Sequence, residues 1–202
     1  LGRASAPVPF SSSVYLATEA IKLFGTSEQK ENYLPRLASG EIIATFALPE
    51  SAMEPNPDNI QCTFSSGKLT GTKMPVPDGS YADICVVVVR NKTSDSIGLC
   101  IVNLSEKGVE KKSLSTLDQT RDHAEIIFNN TSSEIMNSSD NGWSDVQQIL
   151  DIAAVLISFE QIGGAEASLN MAKEYALDRF AFGRQIGSYQ AVKHKLADMY
   201  IK

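Results

Sequence analysis

The apolar residues change period twice along this chain, and that change limits the fold more than any other feature. At the front, Val14, Ala17, Ile21 and Phe24 recur at helical spacing, Ser11 to Ser13 offer N-caps and Gly25 is a stop. Thr26 and Gln29 form a capping-box pattern into a second short helix. Pro35 is expected to kink or restart that helix, and Gly40 to close it. From about Glu41 to Phe128 the pattern becomes short β-rich runs between turn residues: 42–48, 60–64, 68–73, 82–89, 98–103, 108–112 and 123–128. Regular spacing of this kind predicts an antiparallel sandwich or barrel. No helical run between the runs is long enough for a crossover, so a parallel sheet is not expected. Val86 to Val89 is apolar on both faces and should be a central strand covered on both sides.

The third zone returns to helical spacing. Ile149, Ile152, Leu156, Phe159, Ile162, Ala165, Leu169, Ala172 and Ala176 advance by three or four. A helix over 144–180 would be about 50 Å long at 1.5 Å per residue. Such a helix usually belongs to a bundle, and Gly163-Gly164 would let a neighbour approach closely. A loop is expected over 183–189, then a last helix from Gln190 with Val192, Leu196 and Met199 on one stripe. Residues 129–139 read as a polar linker. The fold class is therefore α+β and multidomain: a short helical segment over 1–40, a β-barrel or sandwich over 41–135, and long helices of a four-helix-bundle type over 140–202. The chain opens at Leu1 and ends inside an apolar helical pattern, so both ends read as cut from something longer.

Composition excludes several classes. The net charge of −6 argues against a nucleic-acid scaffold, which needs a basic footprint. No unbroken apolar run approaches the roughly 18 residues of a membrane span, since Asp151 interrupts the longest. Cys62, Cys85 and Cys100 form no C-x-x-C pair and are odd in number, so buried thiols in a reducing, cytoplasmic compartment are expected. No signal peptide is read, so the N-x-S/T triplets at Asn91, Asn103, Asn129, Asn130 and Asn137 are taken as polar loop chemistry. P-loop, G-x-G-x-x-G, G-x-S-x-G and H-E-x-x-H motifs are absent. Two histidines, His123 and His194, cannot build a His-rich metal site, and both are read as structural or surface residues.

The chemically informative stretch is Arg179-Phe-Ala-Phe-Gly-Arg-Gln-Ile-Gly-Ser-Tyr-Gln190. Guanidinium and amide donors on Arg179 and Gln190 suit phosphate oxygens. This stretch, continuing to Leu196-Ala-Asp-Met199, resembles the R-x-x-F-G-x-x-I-x-x-x-Q-x-x-x-x-x-L-A-D-M signature of the acyl-CoA dehydrogenase family. Further likenesses follow in family order: residues 24–30 and 33–41, Phe46-Ala-Leu-Pro-Glu50 against F-A-L-T-E, and Leu69-Thr-Gly-Thr-Lys73 against L-x-G-x-K. The resemblance covers nearly the whole chain.

What the resemblance implies is a flavoprotein oxidoreductase of fatty-acid and lipid metabolism. It would use FAD to desaturate an acyl-CoA, pass electrons to an electron-transfer flavoprotein, and work as a dimer or tetramer, with itself or with a homologous subunit. Phe46, Leu48 and Glu50 fall on the strand that lies along the flavin, and Met74 to Pro77, with Val76, on the hairpin that covers its ring. Arg179, Phe182 and Gln190 match positions that reach a neighbouring subunit's FAD, and Asp151 a position near the CoA end of the substrate. The catalytic base is expected outside this chain; Asp151 and Glu160 are not at a matching position, and Glu160 reads as a polar helix residue. Four departures stand out. Pro49 replaces the family's Thr, Met53 to Asp58 replace Gly-x-Gly-Ser-Asp, Pro75-Val-Pro77 replace W-I-T or W-I-S, and Ala154 replaces an arginine. Proline has neither an N–H nor a hydroxyl, so flavin donors are lost. Two readings stay open: an active dehydrogenase, or a non-catalytic subunit that completes a neighbour's FAD site. The remaining alternative is a relative such as an acyl-CoA oxidase, which shares the fold and flavin but gives electrons to oxygen.

Overall fold

The computed structural model describes residues 1–118, 120–137 and 142–202. A π-helix over Ser11–Thr18 runs into α1 (Glu19–Phe24), followed by α2 (Ser27–Ser39). Eight strands come next: β1 (Ala44–Ala47), β2 (Thr63–Ser65), β3 (Lys68–Pro77), β4 (Ile84–Asn91), β5 (Ile97–Asn103), β6 (Val109–Ser113), β7 (His123–Ser132) and β8 (Glu134–Ile135). The helix α3 (Gly142–Asp178), the two-stranded ribbon β9 (Phe180–Ala181) and β10 (Arg184–Gln185), and α4 (Gln190–Ile201) complete the order. The α+β sequence of helices, curled sheet and long helix is the one predicted.

Residues 7–154 form one compact unit. Its sheet runs β6-β7-β3-β2-β4-β5-β8, with β1 attached to β4. β4 is central, as its two apolar faces required. Ile84, Val86 and Val88 join Ala17, Ile21, Phe46 and Ile149 in one apolar cluster. Cys85, Val87 and Val89 turn the other way, to Leu69, Val76, Ile126 and Phe128. Each such side chain, fully buried, is worth about 1.5–3 kcal/mol. The front helices thus pack against the strands.

The sheet is mixed, not wholly antiparallel: β1 and β2 both pair with β4 in parallel. The β2–β3 hairpin itself provides the crossover from β1 to β4, so no helix is needed. Ser11 to Ser13 are not N-caps. Ser12 Oγ donates to Asp78 Oδ2 at 2.5 Å and Ser13 Oγ accepts from Ala44 N–H at 3.2 Å, so their hydroxyls serve tertiary contacts. Thr26 and Gln29 do form the capping box. The helix α2 runs unbroken through Pro35, held at its start by that box and closed by Gly40 at φ +73°. Residues 129–132 and 134–135 are strand, not linker, and 138–139 lie outside the described residues. The tie is polar: Glu134 accepts from Tyr33 Oη at 3.0 Å and from Gln29 Nε2 at 3.3 Å.

Residues 1–6 and 155–202 form the second unit. Here Gly163 meets the front segment, since a Cβ at Gly163 would lie 3.0 Å from Arg3 N. A Cβ on Gly2 would lie 1.7 Å from Glu160 O, so only glycine permits this approach. Residues 183–189 are not a plain loop: β10 and a 3₁₀ turn over Ile186–Ser188 occupy them. Of the predicted stripe, Phe159 and Ile162 are exposed in this unit, as are Met171 and Tyr175. By length and composition alone α3 passes the threshold for a membrane span, contrary to the run-based expectation. A window average tolerates the carboxylates that break every unbroken run.

Candidate functional site

One candidate surface is built where β1 ends against β3. Beyond Ala47 the chain turns along the hairpin, and Pro49 O accepts from Met74 N–H at 2.9 Å. Thr45 Oγ1 donates to Pro77 O. Phe46, Leu48, Glu50, Met74 and Val76 therefore lie on adjacent segments. Their side chains part company there. Phe46 and Leu48 are buried in the helix-facing cluster, and Val76 is buried in the opposite one. Any ligand along this ledge would meet Val76 through its backbone alone.

Glu50 is held by a residue that sequence reasoning missed. Lys73 is fully buried, and its ammonium donates to Glu50 Oε1 at 2.8 Å and to Leu48 O at 3.0 Å. The same carboxylate accepts from Gln61 N–H at 2.7 Å and Cys62 N–H at 3.0 Å. Burial pushes the neighbouring Cys62 thiol up to about 12, with Lys73 opposing and Glu50 reinforcing the shift. A period-two count from Leu69 through Gly71 places Lys73 on the interior face, which was the available signal.

The loop between Glu50 and β2 is closed on itself. Asn56 Oδ1 accepts from Asp58 and Asn59 N–H, and Asn59 Oδ1 accepts from Asn56 N–H. Arg90, also missed, pins this loop: it donates to Ile60 O at 3.2 Å and to Pro57 O, while its other nitrogen reaches Asp95. Asp151 is exposed on α3. Cys62, Cys85 and Cys100 are free and buried, as expected. His123 lies in β7 with Nδ1 buried, and His194 is exposed on α4. Among the described residues no group of three metal-ligating side chains converges.

In the second unit, Arg179 follows the last turn of α3, and the β9–β10 ribbon returns the chain to α4. Ile186 N–H donates to Arg179 O at 2.8 Å, which closes the ribbon at its base. Phe182 sits at the tip with φ +51° and is fully exposed, beside Gly183 at φ +77°. Tyr189 caps the approach to Gln190. Its hydroxyl donates to Ala181 O at 2.9 Å, and its ring lies 4.0 Å beneath the guanidinium carbon of Arg184. Arg179, Arg184 and Gln190 are all exposed, with no ion pair or side-chain hydrogen bond among the described residues.

This arrangement of ribbon and helices has known counterparts. Residues 1–41 match the sequence profile of the acyl-CoA dehydrogenase N-terminal domain, and residues 140–202 that of the C-terminal domain. The chain belongs to the acyl-CoA dehydrogenase family. An acyl-CoA dehydrogenase of Bacillus subtilis is 31% identical over 98% of this chain and 56% of its own length. A glutaryl-CoA dehydrogenase from Mycobacterium smegmatis, solved in complex with FADH2, superposes with a TM-score of 0.85 at 27% identity. That match covers 95% of this chain and 51% of the other. A chain of the ChsE4–ChsE5 complex from Mycobacterium tuberculosis superposes with a TM-score of 0.83 at 28% identity, over 100% of this chain and 54% of its own. The chain spans about half the length of the curated relatives it matches.

Two separate surfaces differ in the donors they offer a flavin dinucleotide. In the unit of residues 1–6 and 155–202, Arg179, Arg184 and Gln190 present unengaged donors that suit phosphate oxygens. On the β1–β3 ledge, Pro49, Pro75 and Pro77 have no N–H, the carbonyls of Pro49 and Pro77 already accept hydrogen bonds, and Glu50 already accepts from Lys73 and two amides. That ledge offers apolar surface and few donors.

Proposed function

We propose that this protein is a subunit of an FAD-dependent acyl-CoA dehydrogenase, which desaturates an acyl-CoA thioester between its α and β carbons. The observation that carries this reading is the set of unengaged donors on Arg179 and Gln190 around an αL-turned, fully exposed Phe182. That set suits the phosphates and an aromatic face of a dinucleotide presented by a neighbouring subunit. When bound, FAD would accept the hydride that leaves the β-carbon. Phe46 and Leu48 keep the ledge beneath dry, and Lys73 holds Glu50 and the end of β1 in place. Asp151, exposed early on α3, would face the CoA end of the substrate. An electron-transfer flavoprotein as acceptor, and assembly as a dimer or tetramer, complete the proposal.

A second reading is favoured by the β1–β3 ledge. With three prolines along the ledge and the Glu50 carboxylate already hydrogen-bonded, this chain would complete a homologous partner's flavin site and hold no flavin of its own. The visible absorption spectrum of the purified full-length protein decides between them. Flavin bands from the protein expressed alone support the active dehydrogenase. A colourless protein that yellows only with its homologous partner supports the completing subunit. A protein colourless in both settings refutes both.

A further inference from the structure

The unit formed by residues 1–6 and 155–202 holds a guanidinium that is braced but not employed. Arg184 lies over the Tyr189 ring with its guanidinium carbon 4.0 Å from the centroid, a cation–π contact that restrains the group while its N–H donors have no hydrogen-bond partner among the described residues. Tyr189 is itself fixed, because its hydroxyl donates to Ala181 O on the opposite strand of the ribbon. In the antiparallel register Arg184 faces Ala181, and the hydrogen bond from Ile186 places Arg179 two positions along on the same side. Alternation along a ribbon sets positions two apart on one face, within reach of long side chains. Two arginines therefore flank one face of the ribbon base, and Tyr189 leads directly into Gln190. An ordinary exposed arginine loses rotamer freedom when it binds; one stacked on an anchored ring has lost much of it already.

We propose that Arg184 is a further phosphate-binding residue of the Arg179–Gln190 clamp and that Tyr189 is the residue that positions it. Its ligand is the pyrophosphate of the bound dinucleotide. This rests on the reading of the clamp given above, and the test separates the two. FAD affinity of the full-length oligomer is measured by flavin fluorescence over a range of salt concentrations for four variants: Arg179→Ala, Arg184→Gln, Tyr189→Leu and the Arg184→Gln/Tyr189→Leu pair. Each apoprotein is checked for an unchanged melting temperature. Arg184→Gln is expected to weaken FAD binding about tenfold, the effect of one charge-assisted hydrogen bond. It should also make the binding less salt-dependent, which a purely structural defect would not do. Tyr189→Leu should lose a similar factor, and the double variant should be no weaker than Arg184→Gln alone, because the tyrosine acts through the arginine. If Arg179→Ala leaves affinity unchanged, the clamp itself is refuted. If Arg179→Ala weakens binding while Arg184→Gln matches the wild type in affinity and salt slope, the role of Arg184 is refuted and the clamp stands. Additive losses in the double variant overturn the positioning role of Tyr189. Should Tyr189→Leu fail to fold, Arg184→Gln alone still decides the arginine.

Discussion

Replacing Lys73 by methionine removes a buried ammonium while keeping the length of the side chain. Lys73 is 0% exposed and Glu50 only 14%, so the pair is shielded from water on one side and nearly so on the other. Removing one partner of a buried pair costs about 3–5 kcal/mol, because the remaining charge is left uncompensated. Glu50 would keep its bonds from Gln61 and Cys62 N–H, and that places the expected loss near the lower end, about 3 kcal/mol. For a chain of this size, about 1 kcal/mol moves the melting temperature by roughly 2–4 °C, so the fall should be roughly 6–12 °C. Glu50→Gln alone should be worse, since the buried ammonium loses its compensating charge and the new amide NH2 is set against the N–H donors of Gln61, Cys62 or Lys73. The combined Lys73→Met/Glu50→Gln protein buries no unpaired charge and should recover at least about 1 kcal/mol of the summed losses. Urea and thermal denaturation of the full-length protein measure all three. A loss below about 1 kcal/mol in Lys73→Met, or losses that simply add, would refute the claim that the pair is buried and coupled.

Two further outcomes follow from burial. Cys62, Cys85 and Cys100 are all enclosed, and burial raises the pKa of each thiol, that of Cys62 to about 12. A colorimetric thiol reagent at pH 8 should therefore find none of the three in the native protein and all of them in guanidinium; rapid native labelling of any one contradicts the packing. Tyr33 is pushed up to about 12, first by burial and then by its hydrogen bond to Glu134. Its folded pKa lies above the unfolded value of 10.0, so its stabilising share is complete below pH 10 and is lost as pH rises towards 12. Tyr33→Phe should flatten that part of the stability profile, and an unchanged slope between pH 10 and 12 would show that Tyr33 titrates normally.

The order of helix, sheet and helix was legible because each zone has its own apolar period, and the central place of β4 because only a doubly covered strand is apolar at every position from Ile84 to Val89. The parallel pairings of β1 and β2 were not, since nothing local to either strand says that a hairpin will carry the chain across the sheet. The serines at 11–13 misled for a related reason: a hydroxyl at a helix start can cap it or can reach a strand, and only the fold decides. At the site, the motif residues were legible as a set but their constraints were not. Nothing in Phe46 to Glu50 announces that a lysine 23 residues later turns inward, and lysine is rarely buried unless paired. Once Lys73 is inside, Glu50 must answer it, and that obligation reaches to the amides of Gln61 and Cys62.

The same chain of obligations bears on where a flavin could be served. The ledge of β1 and β3 is stiffened from within: Lys73 and Glu50 hold one end of the 51–60 loop, Arg90 holds the other, and the prolines at 49, 75 and 77 remove the donors that a ring would use. Little in that region is left open to a new polar contact. The ribbon after α3 is the reverse case. It is rigid through Tyr189, Ala181 and the turn at Phe182-Gly183, yet Arg179, Arg184 and Gln190 keep their donors unspent. Preorganised donors without partners bind an anion at less entropic cost than mobile ones. The polar groups of the ledge are thus satisfied from within, whereas the donors of Arg179, Arg184 and Gln190 are left for an anion.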